Sequence, residues 1–293
     1  MVDNIIDELN LPVTVDIEVG NEDEHRRRLQ REITTAKFGQ RDAQWALRRA
    51  LGQAREFVYI ESPAFARTAR PDGAPQPHEV DLVETIRAAM AANPRLKVMI
   101  CVPRWPDFAE DKAPWARASL AHRKQAIEVL TTQDRNRVAA FHPIGFPGRA
   151  TAIRSTTIIV DDVWCMVGTS HFRRRGMTFD GAVDIVSIDR SMAAGYSAGI
   201  ARFRHELMAA KLGVSIPGSP ATATSLWIRL AQPEAAFDAV ADLLQQGGLG
   251  RCSPVWAGPT DTSVLPQTDD IADPDGSTGA DFLTLFASLL SET

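Results

Sequence analysis

Short apolar runs and longer stretches of helical periodicity alternate along most of the chain. The runs at 57–60 and 96–102 are short and rich in β-branched residues, which predicts buried strands. Around them, apolar residues recur every three or four positions, which predicts amphipathic helices. Strands are predicted at 57–60, 96–102, 138–141, 158–160, 163–167 and 182–188, and helices at 40–55, 79–92, 113–132, 190–212 and 235–246. This order predicts an α/β fold with a central sheet covered by helices.

The two ends of the chain follow different patterns. Residues 13–19, V-T-V-D-I-E-V, alternate apolar and polar side chains and predict an edge strand, and a charged helix is predicted at 22–37. Residues 227–231 predict a strand or turn, whereas 247–279 is rich in Gly, Pro, Ser, Thr and Asp and predicts a tail without order of its own. An apolar stripe at 281–290 suits docking in a groove.

These patterns divide the chain into three parts. The expected parts are an N-terminal strand and helix extension at 1–37, one domain at 38–213, and a C-terminal helical extension with a Pro/Gly-rich tail at 214–293.

Composition narrows the class of protein. The 293 residues carry a formal charge of −5, which does not indicate a nucleic-acid partner. The three cysteines lie far apart and predict buried, reduced thiols, and no spacing predicts a metal site or a nucleotide cofactor. No apolar run is long enough for a transmembrane segment, and the first residues are acidic where a signal peptide needs bases. We therefore expect a cytoplasmic protein, unless it is exported by a route that leaves no such mark.

A hairpin centred on Asp161 and Asp162 is the most informative stretch. The apolar runs at 158–160 and 163–167 flank this polar pair and predict two strands joined by a tight turn. The spacing resembles the second half of a phospholipase D superfamily enzyme, whose motif is H-x-K, four residues, D, six residues, then G-[ST]-x-N. Asp161, Gly168 and Thr169 fall in register with that motif.

The catalytic residues of the motif are replaced by other residue types in this chain. Arg154 stands at the His position, Thr156 at the Lys position and His171 at the Asn position. In such enzymes a neutral imidazole attacks phosphorus, which an always-protonated guanidinium cannot do. Thr156 likewise lacks the ammonium that would stabilise the phosphoryl oxygens.

A second resemblance lies at 59–65, Y-I-E-S-P-A-F. It is similar to the Y-I-E-N-Q-Y-F segment of the same superfamily, which borders the active site. The resemblance implies that Glu61 and Ser62 form the rim of a pocket. A strand-end carboxylate that satisfies loop amides is the alternative for Glu61.

The resemblance implies a phospholipase D-like mixed sheet covered by helices on both faces, with a degenerate site. Its side chains are expected to hold phosphate without cleaving it, and the residues assigned to this role are Arg154, Thr156, Thr169 and Arg173. Arg174 and Arg175 extend this basic loop. The alternative is that Arg154 pairs with Asp161 or Asp180 and plugs the old cleft.

Two functions follow from these expectations. The first is a non-catalytic binding or assembly subunit that meets a protein partner, or another copy, through its flanking segments. The second is an active phosphodiesterase, of phospholipase or nuclease type, that uses His171 and Asp161 or completes its site with a partner chain.

Overall fold

The computed structural model describes residues 26–27, 40–69, 79–106, 113–145, 148–178, 180–188, 192–193, 196–214 and 221–255. The predicted strand at 13–19 and the apolar stripe at 281–290 lie outside these ranges, as does all but 26–27 of the charged helix.

Ten strands and six α-helices are described within these ranges. The strands are β1 (Phe57–Glu61), β2 (Lys97–Cys101), β3 (Val138–Gly145), β4 (Arg149–Ala150), β5 (Thr156–Val160), β6 (Trp164–Gly168), β7 (Asp184–Ile188), β8 (Met192–Ala193), β9 (Tyr196–Ser197) and β10 (Cys252–Pro254). The helices are α1 (Asp42–Gly52), α2 (Leu82–Ala92), α3 (Ala113–Asp134), α4 (Ala198–Lys211), α5 (Ala221–Leu230) and α6 (Pro233–Gln245).

The strands form a mixed eight-stranded sheet. Its order is β10-β3-β2-β1-β5-β6-β7, with β4 paired to β3, and β8 and β9 form a separate hairpin. β1, β2 and β3 run parallel, whereas β5, β6 and β7 are antiparallel to their neighbours. The predicted hairpin is confirmed, since β5 pairs with β6 and both turn residues, Asp161 and Asp162, have a φ of 51°.

Helices cover both faces of the sheet, as the sequence predicts. In β1, Val58 and Ile60 face a core that includes residues of α1, α2 and α3. Phe57 and Tyr59 face a second core that includes residues of α4, α5 and α6. The α/β class is therefore confirmed. None of the helices in the described ranges has the length and apolar character needed to cross a bilayer.

The C-terminal region departs from the sequence predictions. Residues 227–230 are not a strand but the end of α5, with a turn at 231, because Leu226 and Leu230 share one buried helical face. Residues 252–254 fall in the predicted tail, yet they form β10 and pair with β3. α5, α6 and β10 share a core with β1, so the predicted boundary at 213 does not separate two cores.

The region before α4 also differs. The predicted helix at 190–212 starts only at Ala198, after the β8–β9 hairpin. Ser197 ends that hairpin and caps the helix, because its Oγ accepts the backbone N–H of Ile200 at 3.2 Å.

Candidate functional site

One edge of the sheet gathers the ends of five strands. The carboxyl ends of the parallel strands β1, β2 and β3 meet there. β5 runs the other way, so its first residue, Thr156, lies at this edge, paired with Gly168 at the end of β6. Residues that follow β1 and β6 therefore meet residues that precede β5.

Three polar side chains form a hydrogen-bonded series at this edge. The Oγ atoms of Ser62 and Thr156 are 3.0 Å apart, and Oγ1 of Thr156 is 3.4 Å from Nδ1 of His171. Ser62 and Thr156 are fully buried, whereas His171 is partly exposed. The structure thus brings together three residues that the sequence analysis assigns to a pocket, and we call them the Ser-Thr-His series.

The chain around His171 is held from two sides. The backbone N–H of Phe172 donates to Oγ of Ser62 at 3.0 Å, and its carbonyl accepts the N–H of Ala66 at 2.8 Å. The rings of Phe65 and Phe172 stack with centroids 4.8 Å apart. Gly176 lies against the backbone of His171, where a Cβ would come within 2.5 Å of the His171 carbonyl oxygen.

His171 has an electrostatic environment that favours the neutral ring. Burial lowers the pKa of His171 below its usual 6.5, and the nearby charge of Arg173 lowers it further, against the opposing effects of Asp180 and Asp184. The imidazole is therefore neutral at neutral pH. Within the described ranges, the bond to Thr156 is the hydrogen bond that the His171 ring makes.

The basic loop is largely engaged in ion pairs. Arg173 and Arg175 both bind the carboxylate of Asp180, the former at 3.1 Å. Arg174 is buried and pairs with Glu79 at 3.1 Å. The Nε–H of Arg173 is buried and has no acceptor in the part of the chain that the structure describes.

Arg154 lies two residues before Thr156 and is exposed. The carboxylate of Asp180 binds two arginines of the basic loop, and that of Asp161 binds backbone amides. The pairing of Arg154 with Asp161 or Asp180 stays a prediction.

The placement of Asp161 in the site is wrong. Asp161 lies in the turn at the far end of β5 from Thr156, a distance of about 17 Å for five strand residues. Its carboxylate accepts the backbone N–H groups of Arg55, Glu56 and Phe57 at 2.8 to 2.9 Å. Asp161 therefore clamps the turn to the start of β1.

Thr169 and Glu61 make contacts of their own outside the Ser-Thr-His series. Thr169 is exposed, and its Oγ1 accepts the N–H of Val183 at 3.1 Å, which joins β6 to the loop before β7. Glu61 points into the second core, where it binds Nζ of Lys211 at 2.8 Å and the hydroxyl of Tyr59 at 3.0 Å. Glu61 is therefore engaged on the face of β1 that carries Tyr59, and the phosphate-binding role of Thr169 stays a prediction.

Arg123 is a buried residue of this edge that the sequence analysis misses. It is fully buried in α3, and its guanidinium donates to the carbonyls of Pro103 at 2.8 Å and Pro63 at 3.4 Å. Burial lowers its pKa to about 10, so it stays charged at neutral pH. The available signal was its spacing, because Arg123 interrupts the apolar stripe of Leu120, Ile127 and Leu130.

Solved structures align with this chain at low sequence identity. No protein-family model and no curated protein matches the chain. Nuc from Salmonella typhimurium, a phospholipase D family member, aligns at 15% identity and a TM-score of 0.35, over 50% of this chain and 76% of that one. Phosphatidylserine synthase from Haemophilus influenzae aligns at 10% identity and a TM-score of 0.36, over 85% of this chain and 43% of that one.

A further aligned structure is TrmBL2, an archaeal chromatin protein described as showing a novel mode of DNA binding, at 12% identity and a TM-score of 0.31, over 63% of this chain and 60% of that one. All three of these alignments have TM-scores below 0.4.

Proposed function

We propose that this chain binds a phosphate-containing ligand at His171 and does not hydrolyse it. The observation that carries the proposal is the bond from the backbone N–H of Phe172 to Oγ of the buried Ser62. Because this bond already supplies Ser62 Oγ with a donor, it favours donation of the Ser62 proton toward Thr156.

The direction follows from the need to satisfy buried donors. Ser62 is fully buried, and its one described neighbour able to accept its proton is Oγ1 of Thr156. With that proton donated, the hydroxyl of Thr156 donates in turn to Nδ1 of His171. The opposite direction would leave the Ser62 proton buried without an acceptor, at a cost of about 1–3 kcal/mol.

This direction determines which nitrogen of His171 carries the proton. If Nδ1 accepts from Thr156, the proton of the neutral ring sits on Nε2. An Nε2–H group donates a hydrogen bond to an anion, whereas nucleophilic attack needs a lone pair on that atom. The geometry therefore favours binding over catalysis.

Nearby positive charge supports an anionic ligand. Arg173 is close enough to lower the pKa of His171, and its Nε–H lacks an acceptor in the described ranges. Arg154 is exposed two residues from Thr156 and can reach solvent beside the same edge. Guanidinium groups bind phosphate oxygens in pairs and do not take part in covalent chemistry.

Phosphodiester hydrolysis by His171 is the second candidate. One observation favours it: the pKa of His171 is lowered, so the ring is neutral at pH 7, as a nucleophile requires. This reaction needs the Nδ1–H form of the ring, which reverses the donation along the Ser-Thr-His series.

Two variants of His171 distinguish binding without hydrolysis from phosphodiester hydrolysis. His171→Gln keeps an N–H donor but has no nucleophilic nitrogen, and His171→Ala has neither. Calorimetry with dimethyl phosphate at low salt is expected to show binding to the wild type and to His171→Gln. His171→Ala should bind about tenfold more weakly, since one hydrogen bond to a charged group contributes about 1.5–3 kcal/mol.

Hydrolysis of bis(4-nitrophenyl) phosphate completes the test. We expect no turnover above buffer for the wild type. Turnover that both His171 variants abolish would establish the second candidate, and absence of binding to any phosphate ester would overturn the first. Arg154→Ala should weaken binding and reduce its salt dependence while leaving the melting temperature unchanged.

We also propose that the flanking segments join a protein partner or another copy of the chain. The apolar stripe at 281–290 supports this role, because Phe282, Leu285, Phe286 and Leu289 recur at helical spacing. Light scattering of the full chain tests it, and a monomer at all concentrations that captures no partner would count against it.

A further inference from the structure

β7, a strand at one edge of the sheet, exposes apolar side chains on both faces. β7 pairs with β6 and, within the described ranges, with no other strand. Ile185 is 68% exposed on one face, and Val186 and Ile188 are 43% and 64% exposed on the other. Val183 and Val167, beside them, are also exposed.

An edge of this kind is unusual in a stable monomeric protein. Exposed edge strands are ordinarily protected by lysine, proline, a bulge or a covering segment, because their free N–H and C=O groups pair readily with other strands. β7 reads D-I-V-S-I, and its one charged residue, Asp184, is used by Ser170, whose backbone N–H and hydroxyl both donate to it. Among the residues that the structure describes, β7 therefore lacks the usual protection of an exposed edge strand, and we expect another segment to pair with it.

The first described residue after the N-terminal region lies beside this strand. The N–H of Gln40 donates to the carbonyl of Thr178 at 2.7 Å. A cavity of about 280 Å³ separates Gln40 and Ala43 from Met166 and Val186. Gln40, two residues before the start of α1, therefore lies on the face of the sheet that carries Val186.

We propose that residues 13–19 pair with the free edge of β7 and extend the sheet by one strand. Val13, Val15, Ile17 and Val19 share one side of that segment and would continue the apolar face of Val186 and Ile188. Thr14, Asp16 and Glu18 occupy the other side and would meet water. Twenty residues separate Val19 from Gln40, so the segment can reach β7 within its own chain.

A second copy of the chain is the competing occupant. Two β7 strands could pair across a two-fold axis and protect each other. The segment of the same chain is preferred because its alternation is that of a half-buried strand and because Gln40, which follows it in the chain, lines the same cavity as Val186 of β7.

Hydrogen exchange of the full chain tests the proposal. Two variants add the same charge to opposite sides of the segment: Ile17→Asp on the apolar side and Thr14→Asp on the polar side. In the wild type and in Thr14→Asp, the β7 amides that point away from β6 should exchange about tenfold more slowly than in Ile17→Asp. Peptides from β1 serve as the internal control for folding.

Three results would overturn the proposal. In the wild type alone, amides 13–19 exchanging at the rate of unstructured chain would exclude the added strand, whatever the variants do. Fast exchange of β7 in all three proteins would show an uncovered edge. Slow exchange in all three would assign the cover to something else, and a dimer mass by light scattering would identify it as a second copy.

Discussion

The guanidinium of Arg204 holds the carboxylate of Asp162 through two hydrogen bonds of 2.7 and 3.0 Å, with both side chains fully buried. The same guanidinium donates to the carbonyls of Leu230 and Ala231 at 2.9 Å. This pair therefore joins the β5–β6 turn to α4 and to the end of α5. It links the hairpin to the C-terminal region that the sequence analysis places outside the domain.

Asp162→Ala should destabilise the protein by about 3–5 kcal/mol, because it leaves the charge of Arg204 buried without its partner. Urea unfolding measures the change. Arg202→Ala, which removes an exposed pair with Glu206 on the same helix, is the matched control and should leave the midpoint unchanged. Equal effects of the two substitutions would show that the Asp162–Arg204 pair is not buried.

Asp161→Ala should lower stability by about 1–3 kcal/mol, because the amides of residues 55–57 lose their acceptor. The affinity for dimethyl phosphate should stay the same, because Asp161 lies at the far end of β5 from His171. Calorimetry on the folded variant measures the affinity. A large loss of affinity would contradict this prediction and show that Asp161 belongs to the binding site.

His142 should make stability depend on pH. It is buried, its Nδ1 contacts the carbonyl of Val102 at 2.9 Å, and burial lowers its pKa from 6.5 to about 4. The unfolded chain then binds more protons between these values, so stability is complete above pH 6.5 and is lost as the pH falls toward 4. The loss from this residue between pH 7 and pH 5 is about 2 kcal/mol.

The contribution of His142 is isolated by comparison with His142→Asn, which keeps a donor but does not titrate. Because the pKa of His171 is also lowered, its contribution has the same sign and cancels in the difference. Urea unfolding at pH 7 and pH 5 should show a flatter profile for the variant. Parallel profiles would mean that His142 is not buried as a neutral ring.

Cys252 should resist thiol reagents in the native protein. It is 1% exposed in β10, and burial raises its pKa to about 11. Reaction with dithiobis(nitrobenzoate) at pH 8 should follow unfolding of the chain, as for the buried Cys101 and Cys165. Rapid labelling of Cys252 alone would show that β10 is not docked on β3.

Local patterns predict the sheet and its hairpin but not the elements that depend on distant packing. β5 and β6 are predictable because apolar runs flank Asp161 and Asp162, which tolerate a positive φ. α5 and β10 are missed because their conformation depends on the second core, which covers Leu230 and Cys252. Intrinsic preference is weak in such short segments, and tertiary packing overrides it.

Only part of the site is predictable from the sequence, because hairpin spacing is a local pattern. Spacing along the hairpin places Thr156 and His171 together, since the first residue of β5 meets the end of β6. The same spacing puts Asp161 in the turn at the other end of β5, and its assignment to the site came from the family resemblance alone. Glu61 and Ser62 are adjacent in sequence, but successive side chains of a strand point to opposite faces, which separates their roles.

The proton position on His171 tests the central claim most directly. Nitrogen NMR of the histidine side chains, recorded at pH 7.5 during a titration with dimethyl phosphate, reports the protonated ring nitrogen and the ligand contact together. A phosphorus spectrum of the same sample reports whether the ester is intact. We expect a neutral ring with its proton on Nε2, a shift of that signal as ligand is added, and an intact ester. A proton on Nδ1, no response to the ligand, or release of methyl phosphate would contradict the account.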